Sequence, residues 1–151
     1  MGSSKKIMLF SAIVLIPIAV TIAIFIYTSP EQQAKRIVES FYTYEQEGNF
    51  SDSWELLHPF MKEKFAKGSY LQDRAHVFMN HFGVTTFTFS LEGSKKIKNW
   101  TMEKDRDPIG VVYATTVIQT YRGKYGHFKL HQEVFVAKVE GEWVILWDYN
   151  K

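Results

Sequence analysis

Cysteine is absent from this chain of 151 residues. That excludes disulfides, thiolate-ligated zinc, a thiol nucleophile and a lipidated cysteine. Proline is scarce, with four residues, so little interrupts regular structure. Excess charge is missing too. The chain carries 18 Lys+Arg against 16 Asp+Glu, and Lys5 and Lys6 account for the whole difference. The remainder is formally neutral. A nucleic-acid binder needs a clustered basic surface to displace counterions, so no nucleic-acid partner is expected. Glycine-rich phosphate loops, a Gly-x-Ser-x-Gly elbow and a His-Glu-x-x-His pair are all lacking, so no cofactor and no metal are expected. His127 and His131 share a strand face about 13 Å apart, too far to chelate one ion. His76 and His81, at i and i+5, do not share a helix face well.

One long stretch contains no charge at all: residues 7–27. Twenty-one residues at about 1.5 Å rise match a hydrocarbon slab of roughly 30 Å. Ser11 and Thr21 can bond back to helix carbonyls, Pro17 is tolerated as a kink, and Tyr27 suits the interface. The run is longer than a usual signal-peptide core, and no small-x-small cleavage site follows it. The expectation is a single-pass anchor with three parts: a cytoplasmic tail (1–6), a transmembrane helix (7–27) and an extracytoplasmic domain (28–151). The basic residues bias this orientation only weakly, with Lys35 and Arg36 beyond the span opposing Lys5 and Lys6.

Beyond the span, Ser29-Pro30-Glu31-Gln32 is a helix start with its capping box. Ala34, Ile37, Val38, Phe41 and Tyr42 make one apolar stripe, and Gly48 is the stop. A second short helix is expected from about Ser51, carrying Trp54 and Leu57 and interrupted at Pro59. A third is expected from Ser69 through Phe78 and Phe82 to Gly83.

The period then changes to two. Phe87, Phe89 and Leu91 alternate with polar residues, Glu92-Gly93-Ser94 reads as a turn, and Ile97–Met102 reads as a weaker strand. Three longer strands follow: Val111–Tyr121, His127–Val139 and Glu142–Asn150. Hairpin signals sit around Gly123-Lys124 and at Glu140-Gly141. The expected class is α+β: after the membrane helix, three helices packed on a curved antiparallel sheet of about five strands.

A two-residue Glu140-Gly141 turn pairs Val139 with Glu142, Val136 with Ile145 and Glu133 with Asp148. A Gly123-Lys124 turn pairs Val117 with Leu130 and Ala114 with Glu133. On this register one face is the helix-packing core. The other is apolar toward Glu140 and polar toward the opposite end, where Thr116, His131, Glu133 and Asp148 share a patch. Such a patch suits general acid–base chemistry or, as ordinary charges on an exposed sheet end, a solvated or partner-facing surface. The second is the expectation, with no catalytic residue. A hollow interior could be lined by Phe78, Phe82, Phe87 and Trp100. The alternative is that these rings fill the core.

The capped helix, Gly48-Asn49-Phe50, Trp54 to Leu57 and the sheet resemble the nuclear transport factor 2-like superfamily, over about residues 30–150. Within it the chain is most similar to the N-terminal domain of MecA-type penicillin-binding transpeptidases. The segments Ser69–Arg74, Phe82-Gly83-Val84 and, above all, Val139–Asp148 carry that similarity. The penicillin-reactive Ser-x-x-Lys occurs only as Ser3 to Lys6, ahead of the span, and the sequence ends at Lys151. What the resemblance implies is a membrane-tethered accessory domain of the bacterial cell envelope without its enzyme, with a protein of the envelope as partner. It leaves two alternatives: a subunit of a conjugation or secretion apparatus, or a small-ligand-binding cone with an acid–base pair.

Overall fold

A computed structural model describes residues 3–76, 83–84 and 86–150, with side chains from Leu15 onward. The chain divides into two compact units, Met1–Gln33 and Ala34–Lys151.

The first unit holds α1 (Ser3–Tyr27). Thr21 Oγ1 donates to the carbonyl of Pro17, 2.8 Å. That carbonyl thus has a side-chain partner, as the sequence led us to expect for a hydroxyl in an apolar helix. Thr28 Oγ1 does the same toward Ile24, 2.9 Å. The next helix, α2 (Pro30–Glu47), starts where Ser29 accepts the Gln32 amide on its Oγ at 3.3 Å, so the expected cap is present. Among the described residues no single helix is long and apolar enough to cross a membrane. Leu15–Tyr27 and Pro30–Glu47 pass that test together, by length and composition, as a signal sequence also does.

The second unit is α+β: helices first, then an antiparallel sheet in the order β1-β2-β3-β4. Its helices are most of α2, then α3 (Phe50–Glu55), α4 (Pro59–Lys64) and α5 (Lys67–His76). Pro59 divides α3 from α4, because a proline is accepted only in a first helical turn. His58 caps α4, its Nδ1 accepting the Phe60 amide at 3.1 Å. The third expected helix begins at Lys67 rather than Ser69. Its expected extension through Phe78 and Phe82 lies outside the described residues.

Among the described residues the sheet has four strands where about five were expected: β1 (Thr88–Trp100), β2 (Ile109–Gly123), β3 (Gly126–Val139) and β4 (Glu142–Leu146). Glu92-Gly93-Ser94 is not a turn. Gly93 takes φ +65°, and the β1–β2 register slips between Glu92 and Lys95. The glycine therefore makes a bulge, absorbing one extra residue while both halves of β1 keep β2 as partner.

The Glu140-Gly141 hairpin has the expected register: Val139 pairs with Glu142 and Val136 with Ile145. Both turn residues have positive φ, 50° and 93°, as a type I′ turn requires. The β2–β3 hairpin differs. Gly123 pairs with Gly126 around Lys124-Tyr125, so Val117 faces Gln132 rather than Leu130, and Glu133 faces Thr116 rather than Ala114. The shift is two residues, so every side chain stays on its expected face.

The helix-side face carries Val117, Tyr121, Val134, Val136 and Ile145, all buried. Helix α2 lies on it: Tyr42 is 5.8 Å from Phe89, and its hydroxyl donates to Gln132 Oε1 at 2.9 Å. Burial of Val38 and Phe41, both 0% exposed, is worth about 1.5–3 kcal/mol each. Leu57 bridges Ile145 in parallel, with Ile145 N–H donating to Leu56 and His58 N–H to Ile145. A short rung thus covers the outer side of β4.

The opposite face is covered at one end only. Trp100 stacks on Phe135 at 4.3 Å and 18°, and Met102, Val112, Ala114 and Leu146 are buried there or nearby. Strand β4 stops at Leu146, short of the expected Asn150. Trp147 turns its ring to 6.0 Å from Phe41 and 6.2 Å from Phe65, and the Tyr149 amide donates to Met102 at 2.8 Å. Those bonds take the chain off the ladder.

Candidate functional site

A cluster of polar side chains in the described interior is centred on Glu45. This residue continues the apolar stripe of α2 one turn beyond Phe41 and Tyr42, so it points into the core; its side chain is 0% exposed. Two other helices supply its partners. Ser53 of α3 donates to Oε1 at 2.5 Å, and Tyr70 of α5 donates to the same oxygen at 2.7 Å. Arg74, one turn after Tyr70, donates from Nε to Oε2 at 2.5 Å and from Nη2 to the same carboxylate oxygen. Arg74 is 26% exposed along its side chain, though burial is the largest single influence on its guanidinium.

Burial pulls the Arg74 guanidinium toward losing its proton, but the Glu45 carboxylate outweighs that and holds it charged. Burial, then the Glu45 charge, pushes the Tyr70 hydroxyl far above its ordinary range. Burial does the same to Tyr42 and Tyr121, with Arg74 opposing and Glu45 reinforcing. The cluster is therefore a carboxylate held by one guanidinium and two neutral hydroxyls. It ties α2, α3 and α5 together. One buried donor in the core, Gln119 Nε2, has no hydrogen-bond partner among the described residues, while the Trp147 indole acts as a side-chain hydrogen-bond partner of the Tyr42 hydroxyl.

None of these four residues was among the sequence candidates. The signal was present: an acid on the apolar stripe of one helix, and Tyr70 with Arg74 at i, i+4 on another.

The sequence candidates are dispersed. Thr116 and Glu133 are direct partners across β2 and β3, and His131 lies two residues along, opposite Ile118. These three share the sheet face turned away from the helices, with His131 and Glu133 exposed and Thr116 half-buried. Asp148 does not join them through the ladder, which ends at Phe135 and Leu146. Its Oδ1 instead accepts the Asn150 amide and side-chain Nδ2, both at 2.8 Å.

Of the candidate ring residues, Phe87 packs 5.4 Å from Tyr121 and 6.4 Å from Phe89. It also lines an open hollow of about 410 Å³ with Gln46, Val84, Thr88, Thr120 and Arg122. Trp100 belongs to the Phe135 stack on the other side of the sheet. Phe78 and Phe82 lie outside the described residues. Among the described residues no group of three or more His, Asp or Glu side chains is arranged to hold a metal.

A larger open hollow, about 640 Å³, is lined by Glu103, Lys104, Asp105, Arg106, Tyr149 and Asn150. Arg106 bridges Glu63 and Glu103, and Lys64 reaches Glu103 at 2.8 Å. Beside it Lys62 and Lys67 lie over the Trp54 ring, 4.7 and 5.3 Å from its centre.

No family model matches the chain, and a search of curated proteins found no match.

Proposed function

We propose that this chain is a membrane-anchored, non-catalytic, extracytoplasmic binding or scaffold module of the bacterial cell envelope. The observation that carries the reading is the state of Glu45. A general acid or base needs a lone pair or a proton to spend on a substrate. Both oxygens of this buried carboxylate are already spent on Ser53, Tyr70 and Arg74. Its role is to hold three helices in place, which leaves recognition to the surface. The hollow around Arg106 and Tyr149 offers mixed charge and an aromatic edge, which suits a protein or wall-polymer contact. The uncharged run 7–27 supports the tether.

The test is a tagged full-length chain in intact cells. A C-terminal tag removed by protease added to protoplasts, with envelope proteins recovered after in-cell crosslinking, is the expected result. A tag protected until lysis overturns the location. A purified chain that turns over a substrate, and loses that activity in Glu45→Gln, overturns the non-catalytic role.

Gln119, whose Nε2 has no partner among the described residues, favours a second reading, a small polar ligand held against the sheet. Buried donors without partners are uncommon in folded proteins. Native mass spectrometry of the chain purified from its own membranes, showing a retained small molecule that Gln119→Leu releases, would support that reading over the first.

A further inference from the structure

Among the described residues two stretches of the sheet edge carry no partner strand, and they differ. The β1 edge is broken by the bulge at Gly93 and lined by Lys95, Lys96 and Lys98, devices that keep strange strands away. The β3 edge is regular. It pairs with β2 without a register break from Val136 to Gly126. On its other side β4 covers only Phe135–Val139. From Gly126 to Val134 no described strand lies against it.

The direction of its backbone groups follows from the two hairpins. In an antiparallel ladder, alternate residues offer their N–H and C=O to opposite neighbours. Gly123↔Gly126 and Val139↔Glu142 close two-residue turns, and such closing pairs are mutually bonded. Both hairpins therefore assign the same pattern. The even-numbered residues of β3 face β2. His127, Lys129, His131 and Glu133 aim their backbone groups at the open side.

We propose that this edge pairs antiparallel with the same edge of a second copy of the chain, about a twofold axis at Leu130. Length selects the register. The pairing strand ends at its hairpin tip, Gly126, and cannot run past Val134, where β4 takes up the line. Self-pairing that fills this interval sets Gly126 opposite Val134 and Leu130 opposite Leu130. Leu130 is 48% exposed, and at the axis it meets its copy in a close, non-hydrogen-bonded pair, Cα atoms about 4.5 Å apart.

The charges agree with that register. On the outer face His127 lies opposite Glu133, Lys129 lies opposite His131, and Glu133 is diagonal to Lys129. Each carboxylate thus faces an imidazole and an ammonium of the other copy. The outward-facing residues supply about eight N–H···O bonds between the copies. Lys129 alone would guard the edge against other strands; a second copy answers it with Glu133.

The cysteine-free chain allows a direct test. Leu130→Cys in the full-length protein, oxidised in its native membranes, should give a disulfide-linked homodimer. Lys98→Cys on the β1 edge should remain monomeric. Adding Glu133→Lys to Leu130→Cys should cut the dimer yield roughly tenfold, by setting like charges opposite and diagonal across the axis. Adding His127→Glu as well should restore it. His131→Pro removes an outward N–H without touching the β2 ladder and should also suppress the dimer. Tryptophan fluorescence of each variant establishes that it is folded. A folded Leu130→Cys chain that crosslinks no better than Lys98→Cys overturns the proposal. So does a yield indifferent to Glu133→Lys, or a crosslink to a different protein.

Discussion

Arg74→Met removes the cation from a carboxylate that has no exposed surface. The two hydroxyls of Ser53 and Tyr70 remain, but neither carries charge. Removing one partner of a buried ion pair costs about 3–5 kcal/mol, because the other charge stays buried and uncompensated. The cost for Glu45→Gln should be smaller, about 1–3 kcal/mol. The amide oxygen it introduces can still accept from the guanidinium, and the Arg74 side chain is 26% exposed whereas that of Glu45 is not exposed at all. The two single substitutions should therefore be unequal, with Arg74→Met the worse. The double substitution Glu45→Leu with Arg74→Met should cost less than the sum of Glu45→Leu and Arg74→Met taken singly, since no charge is then left alone in the core. Equilibrium urea unfolding, followed by near-ultraviolet circular dichroism of the tryptophans, measures all four variants on one scale. An Arg74→Met cost below about 1 kcal/mol would refute the reasoning. Strict additivity of the pair would do the same, because it would mean that the two side chains do not depend on each other.

Burial raises the hydroxyls of Tyr42, Tyr70, Tyr121 and Tyr149 above their ordinary range. A raised acid contributes stability that is intact below the unfolded value, about 10, and lost as pH rises beyond it. Alkaline unfolding should thus begin near pH 10 and coincide with a step in tyrosinate absorbance; smooth titration of all tyrosines in the folded protein would contradict this. His58 runs the other way: burial lowers it, against the opposing charge of Glu63, and its Nδ1 must stay unprotonated to cap α4. Its contribution is present above about pH 6.5 and lost as pH falls, so His58→Asn should flatten the acid limb of a stability–pH curve. Glu140 sits at φ +50°, where asparagine is the better residue, so Glu140→Asn should raise the urea midpoint by a few tenths of a kcal/mol in stability. Gly141→Val should lower it by about 1–2 kcal/mol.

Local chemistry set the ends of several elements, and these were readable from the sequence. Ser29 and Gln32 mark the start of α2, Pro59 separates two helices, and Glu140-Gly141 closes a hairpin whose register propagates to Ile145. Alternation also placed the residues of β2 and β3 on their correct faces, even though their register was off by two, since a shift of two preserves the face. Tertiary structure decided what local rules leave open. Gly93 is compatible with a turn or a bulge, and the gain from keeping β1 paired along the whole of β2 selects the bulge. Lys124-Tyr125 became the turn because Gly123 and Gly126 both pair and the long ladder behind them sets the register. Trp147 leaves the sheet for a ring site between Phe41 and Phe65. Glu45 stands on the apolar stripe of α2, but nothing local says what would pair with it until Tyr70 and Arg74, distant in sequence, arrive beside it. Burial of a charge depends on partners brought by other elements, so its place in the core emerges only when the three helices meet.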